Sequence, residues 1–262
     1  MEYNFWNFSE QTGDKERLFR LYHENSKHSP RTQCFNVPRN HYDTGIDLEE
    51  KQYPTIYQIP CLEDLRDDGY SLYDALLLRR TSWKFIREAL TDKEIEKLIA
   101  YSFGISNKEQ NLKTYPSGGR MYPVEIYIIP GYKIINQSRI FPEDKVYRYN
   151  IHTRNIEVIG DGDVKKLDSL ISSTDIGGMT FAQAQFLICL VGNYKVMAKK
   201  YHSLTYRLMQ NELGHIGQNL MLAATMLKVN SVPLGGFFEE RINSYLMLDG
   251  TSKTNMYTFA LG

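Results

Sequence analysis

The sequence predicts an α+β domain, and three stretches decide it. Phe186-Leu187-Ile188-Cys189-Leu190-Val191 is a continuous apolar run of strand length, as expected for a strand covered on both faces. Thr91-Asp92-Lys93-Glu94 is a capping box, in which a Thr oxygen bonds the amide at Glu94 while the Glu reaches back. From about Leu204 to Lys228, Tyr206, Met209, Leu213, Ile216, Leu220 and Ala224 recur at helical spacing.

The remaining elements follow in chain order. Residues 1–65 read as an N-terminal arm. Leu18, Leu21 and Tyr22 share one face of a short helix over Asp14–Asn25, and Pro30, Pro38, Pro54 and Pro60 then punctuate an extended stretch. The domain proper is assigned to residues 66–262. Ser71 and Asp74 form an N-cap pair ahead of Leu72, Ala75, Leu76 and Arg79. Behind the capping box, Ile95, Leu98, Ile99 and Phe103 make one apolar stripe, which Gly104 closes. Val124–Ile129 reads as a strand, Val146–Asn150 and Ile156–Ile159 as a hairpin, and Met256–Leu261 as a terminal strand. Between Leu220 and Leu227 nearly every residue is apolar or small. That half of the long helix belongs at the centre of the domain or at a large subunit interface.

Composition bounds the function. The chain has 262 residues, 42% hydrophobic and 24% charged, enough for a core without staples. Lys plus Arg (31) balances Asp plus Glu (31), so no global field draws it to nucleic acid. Cys34, Cys61 and Cys189 are odd in number and widely spaced, which reads as reduced thiols and no metal site. The N-terminus lacks a signal pattern and no window is apolar enough to span a bilayer, so the cytoplasm is the default compartment.

Four segments could carry chemistry. In Arg79-Arg80-Thr81-Ser82-Trp83-Lys84-Phe85 the paired guanidinium forks and a hydroxyl suit a phosphate, although cations at a helix C-terminus also simply complement the macrodipole. In Tyr115-Pro116-Ser117-Gly118-Gly119-Arg120 two glycines let backbone approach a flat ligand and Ser117 can bond its polar edge; the plainer reading is a tight turn before a strand. Val232-Pro233-Leu234-Gly235-Gly236-Phe237 repeats the idea after the long helix, with the same alternative. Lys199-Lys200-Tyr201-His202 is either an acid–base pair or a solvated loop. Neither G-x-G-x-x-G nor a Walker A pattern occurs, and no G-x-S-x-G elbow or H-E-x-x-H helix is present. His215, inside the long helix, reads as a core or interface residue.

Taken in order, R-R-T-S-W-K-F, P-S-G-G-R-M-Y-P-V-E, K-Y-H-S-L-T-Y-R-L-M-Q-N-E-L-G-H-I-G-Q-N-L and V-P-L-G-G-F resemble the nitroreductase-like flavoprotein superfamily, and within it the SagB-type dehydrogenases, the azoline oxidases of thiazole/oxazole-modified peptide biosynthesis. The resemblance covers about Ser71–Gly262. It implies a mixed central sheet flanked by helices and a domain-swapped homodimer with FMN at the interface. It also implies that Arg79, Arg80 and Thr81 hold the FMN phosphate and ring edge. Pro116, Ser117 and Gly118 would reach the flavin from the partner subunit. Gly236, flanked by Leu234 and Gly235, would place its amide at the reactive nitrogen, and Lys200 and Tyr201 would be the catalytic pair. The sequence departs from the pattern at Trp83, where a further cation is common, with Lys84 one place on, and it has no basic C-terminal tail; Arg207 or a residue of the arm is a candidate substitute.

On that resemblance the expected activity is FMN-dependent oxidation of thiazoline or oxazoline rings in a peptide, beside a cyclodehydratase partner in a synthetase complex. Two other readings stand beside it. One is an NAD(P)H-dependent nitro- or dehydroamino-acid reductase, and the other is a mainly structural subunit of a peptide-modifying complex.

Overall fold

The structure, a computed structural model, describes residues 52–65, 71–171 and 180–262. The expected helix over Asp14–Asn25, the prolines at 30 and 38, and Cys34 lie outside these residues. Nine strands are described: β1 (Thr55–Gln58), β2 (Ile105–Asn107), β3 (Leu112–Lys113), β4 (Val124–Pro130), β5 (Lys145–Tyr149), β6 (Asn155–Asp161), β7 (Phe186–Asn193), β8 (Ser231–Leu234) and β9 (Lys253–Leu261). The helices are α1 (Leu72–Leu78), α2 (Asp92–Phe103), α3 (Leu167–Leu170), α4 (Tyr194–Tyr201), α5 (Thr205–Met226) and α6 (Glu239–Tyr245).

Seven strands form one sheet in the order β1-β6-β5-β4-β7-β9-β8. The α+β class and the flanking helices are as expected, but the sheet is not mixed. Each pairing between named strands is antiparallel, and among the described residues the one parallel contact is the isolated bridge Thr81–Ser231. The reason is local: between neighbouring strands the chain either turns back directly or travels out and returns, so each strand arrives against its neighbour's direction. β7 is buried along all eight residues and sits between β4 and β9, which explains its unbroken apolar sequence.

The pleat divides the core in two. Phe186, Ile188 and Leu190 pack with α2 and α5 through Ile95, Leu98, Phe103, Leu213, Ile216 and Leu220. Leu187, Cys189 and Val191 point the other way, onto a layer with Leu167, Leu170 and Ile242 from α3 and α6. Cys61 and Cys189 are free and buried.

Both predicted caps form. The Thr91 amide donates to the Glu94 carboxylate at 2.9 Å, and the Glu94 amide donates back to Thr91 Oγ1 at 3.3 Å. The Ser71–Asp74 pair does the same for α1. Gly104 ends α2, but with extended backbone; what demands glycine is closeness, since a Cβ there would lie 2.4 Å from the Ala100 carbonyl oxygen. Thr55–Gln58, read as part of the arm, pairs with β6 at one edge of the sheet. His215 is exposed on α5, so it is not a core residue. It falls in phase with Asn211 and Gln218, opposite the stripe that meets the sheet. Among the described residues no helix is long and apolar enough to cross a membrane.

Candidate functional site

β4 and β7 pair antiparallel with Val124 opposite Gly192, so the loop entering β4 and the helix leaving β7 emerge at the same end of the sheet. The Asn193 amide donates to the Pro123 carbonyl at 2.8 Å and ties the two together. The entering loop is the Pro116-Ser117-Gly118-Gly119 turn. It carries left-handed backbone at Gly119 (φ 62°), Arg120 (φ 57°) and Tyr122 (φ 47°). Ser117 Oγ accepts the Tyr122 amide at 2.8 Å and holds the reversal closed. A Cβ on Gly118 would meet Met197 of α4 at 3.2 Å and Leu208 of α5 at 3.5 Å, so the turn lies in the angle between those helices.

The helix leaving β7 is α4, and its last turn carries Lys200 and Tyr201. These residues are therefore helical and half-buried rather than part of a solvated loop. His202, at φ 45°, breaks α4 from α5 and fixes where the pair points. Lys200 Nζ lies 5.3 Å from the Tyr201 ring centroid. Both tips stand over the turn: a Cβ built on Gly119 would lie 2.6 Å from Tyr201 Oη and 2.9 Å from Lys200 Nζ. Segments some eighty residues apart in sequence thus meet with a bare backbone between them.

The other predicted residues line β8. Thr81 bridges Ser231 in parallel, and the Ser82 amide donates to the Ser231 carbonyl at 3.1 Å. Arg79 and Arg80 stand at the C-terminal end of α1, beside the start of this edge strand. Arg80 Nη1 donates to the carbonyls of Leu77 (2.9 Å) and Arg79 (2.7 Å), so in this chain its cation satisfies a helix end. Leu234 is buried at the far end of β8, Gly235 and Gly236 are exposed beyond it, and a Cβ on Gly235 would meet nothing within 4 Å. Ser231 and Gly236 are five residue steps apart, roughly 16 Å of extended chain, comparable with an outstretched FMN. Cations at one end and open backbone at the other are what such a molecule needs, so the residues present fit it.

The structure thus gathers the predicted residues into two groups. Gly235 and the Ser117 turn leave the same end of the sheet, but β4 and β8 are three strand spacings apart, about 14 Å. Arg79 and Arg80 lie farther off, near the end of α5, whereas Lys200 and Tyr201 lie just before its start. Those ends are separated by about 33 Å of helix. Arg207 is in the first turn of α5, with the second group. Sequence reasoning missed Glu212, which is buried behind the Ser117 turn. The signal was present: Glu212 shares the helical phase of Met209, Leu213 and Ile216, all of them buried.

A profile of the nitroreductase family matches residues 76–262. The chain belongs to that family. Among curated relatives it is 28% identical over 191 residues to the nitroreductase-type protein MJ1384 of Methanocaldococcus jannaschii, covering 73% of this chain and 89% of that one. It is also distantly homologous to two peptide-processing proteins. The microcin B17-processing protein McbC of Escherichia coli is 22% identical over 163 residues, covering 62% of this chain and 58% of McbC. The trifolitoxin-processing protein TfxB of Rhizobium leguminosarum bv. trifolii is 28% identical over 152 residues, covering 57% of this chain and 39% of TfxB. This chain therefore spans less than two thirds of both processing proteins. A nitroreductase from Ralstonia eutropha JMP134 shares the fold at a TM-score of 0.64 and 18% identity, over 80% of this chain and 97% of that one. A chain of the E. coli microcin synthetase McbBCD complex, solved with truncated pro-MccB17 bound, matches at a TM-score of 0.61 and 17% identity, over 94% of this chain and 91% of that one. The likeness to the two solved structures is one of fold.

Proposed function

We propose that this nitroreductase-family protein is an FMN-dependent dehydrogenase that oxidises thiazoline or oxazoline rings of a peptide to azoles, working as a homodimer. The observation that carries the reading is the meeting of Lys200, Tyr201 and the Gly119 backbone, because a pair of proton-handling tips over bare backbone is placed to serve a flat ring. Homology to McbC and TfxB points to peptide-borne substrates. By the same analogy the protein works beside a cyclodehydratase in a synthetase complex.

The azoline α-proton is acidified by the neighbouring carbonyl and imine, so its removal needs a positioned base. Lys200 and Tyr201 supply the two groups that take and hold that proton. The missing side chain at Gly119 leaves room for both tips to rest against the turn. FMN, when bound, accepts the hydride and so supplies the redox chemistry. Arg79, Arg80 and Thr81 would hold its phosphate and ring edge; Leu234, Gly235 and Gly236 would lie along the flavin.

The separation of the two groups supports the dimer. No ligand of FMN's size reaches both ends of α5 in one chain, whereas in a dimer a second copy would bring its own Ser117 turn and Lys200–Tyr201 pair to the first copy's β8. Helix α1 supports this, since Leu72, Tyr73, Leu76, Leu77 and Leu78 stand 53–71% exposed beside Arg79. The similarity to MJ1384 favours a second reading, an NAD(P)H-dependent reductase with the same cofactor.

An absorption spectrum of the purified protein followed by mass spectrometry of an azoline peptide tests the reading. Expected are a bound flavin and the loss of two hydrogens per ring, with Lys200→Ala retaining flavin but losing azole formation. Steady NADPH consumption with a simple acceptor and no azole product establishes the reductase instead. A colourless protein that refuses FMN leaves only the structural-subunit reading. Wild-type azole formation by Lys200→Ala removes that lysine from the chemistry.

A further inference from the structure

The Ser117 turn rests on a buried acid. Glu212 is 2% exposed on α5, and neither carboxyl oxygen makes a well-formed hydrogen bond among the described residues, although the Ser117 hydroxyl and the Val124 amide lie near enough to favour its ionised form. The Ser117 hydroxyl and the Val124 amide are the polar groups that act on it, and burial outweighs both, pushing its pKa up to about 8. Tyr115, the residue just before Pro116, has its pKa raised first by burial and then by the charge of the same carboxyl, and its buried hydroxyl has no hydrogen-bond partner among the described residues. No charged side chain among the described residues contributes to the shift; His215, the nearest titratable residue along α5, is exposed. Above this group the turn holds two non-glycine residues in left-handed backbone, Arg120 and Tyr122, so it is braced rather than relaxed.

Serine has one proton to give and two lone pairs to accept with. One lone pair of Ser117 already takes the Tyr122 amide. If Glu212 carries a proton, that proton can fill the second lone pair, and Ser117 must then give its own proton outward, to whatever the turn meets. If Glu212 is a carboxylate, it can only accept, and Ser117 turns its proton inward. We propose that the buried Glu212 carboxyl is a positioning residue for FMN, its proton setting the Ser117 hydroxyl outward as a donor to an acceptor on the flavin edge. This rests on the flavin reading above and adds to it a residue that touches neither cofactor nor substrate.

FMN titrations of the full-length protein, read by quenching of flavin fluorescence, test the proposal between about pH 6.5 and about pH 9.5. The wild-type Kd is expected to rise about three- to tenfold across that range, the loss of one hydrogen bond. Glu212→Gln presents an amide donor where the acid had its proton, so its Kd should stay near the low-pH wild-type value throughout. Ser117→Ala should bind weakly at each pH, with no slope. A flat wild-type curve overturns the proposal, as does a Glu212→Gln curve that keeps the wild-type slope. A second readout needs no flavin: the apo-protein should show the infrared carbonyl band of a buried protonated carboxyl at low pH. That band should vanish at high pH and be missing in Glu212→Gln; its absence from wild type at low pH overturns the proposal too. A protein that shows the band but refuses FMN sinks the flavin reading instead, so the two failures are distinguishable.

Discussion

Gly119→Ala is expected to lose about a hundredfold in azoline turnover while the chain still folds, because a displacement of about 1 Å in a catalytic group costs on that order. The new methyl would lie 2.6 Å from Tyr201 Oη and 2.9 Å from Lys200 Nζ, so both tips have to move. Each is the far end of a flexible, half-buried side chain, and swinging it aside costs little packing. Left-handed alanine adds a backbone cost of about 1–2 kcal/mol, a fall of several degrees in Tm for a chain this long. Turnover should therefore collapse while the melting curve moves modestly. Gly235→Ala is the control for stability: its methyl enters open space, and its Tm should stay near wild type. Stopped-flow flavin reduction by an azoline peptide, beside thermal melts of the three proteins, checks the contrast. Wild-type turnover in Gly119→Ala would show that Lys200 and Tyr201 act from somewhere else.

Much of the frame was legible because single periods dominate it. The apolar run at Phe186 could only be a covered strand, and the Thr91–Glu94 box set the start of α2 by chemistry alone. β8 was not legible as a strand: Pro233 and the paired glycines after Leu234 spell a turn, and only its place at the sheet edge makes a proline tolerable there. The last turn of α4 escaped for a different reason, since Lys199, Lys200 and Tyr201 look like a solvated loop until Gly119 is seen beneath them. Strand direction left no trace in the residues; the mixed sheet is implied by the family resemblance alone, and the pairings between strands are antiparallel. The site was readable as a set of motifs and unreadable as geometry, because proximity between Gly119 and Tyr201 depends on how β4 and β7 pair. Glu212 shows the reverse failure. Its helical phase announced burial, but a glutamate in a polar-looking Gln-Asn-Glu stretch does not show which neighbour it serves.

Glu157→Ala is expected to cost about 3 kcal/mol, the lower end for breaking a buried ion pair, and to lower Tm by about 10 °C. Arg148 and Glu157 face each other across β5 and β6, and each is 5% exposed. The guanidinium donates from Nε at 2.9 Å and from Nη2 at 2.7 Å to one carboxylate oxygen, while Asn150 donates to the other at 2.9 Å. Removing Glu157 takes one carboxylate from a desolvated cation that keeps other contacts, among them Glu125 at 3.8 Å and the Tyr53 ring at 4.9 Å, which is why the lower figure applies. Replacing both partners, as Arg148→Met with Glu157→Leu, removes the buried charge together with its carboxylate and should recover most of the loss. A double variant no more stable than the single one would mean the pair contributes through packing, not charge. The network also reaches the site. Glu125 accepts from Lys253 at 2.6 Å and from Asn193 at 2.9 Å, and Asn193 is the residue tied to Pro123 at the mouth of the Ser117 turn. In Glu157→Ala the Arg148 guanidinium loses its β6 carboxylate and leans more heavily on Glu125, competing for that carboxylate. The single variant should therefore weaken FMN binding as well as stability, whereas the double variant, with no guanidinium to intrude, should restore both.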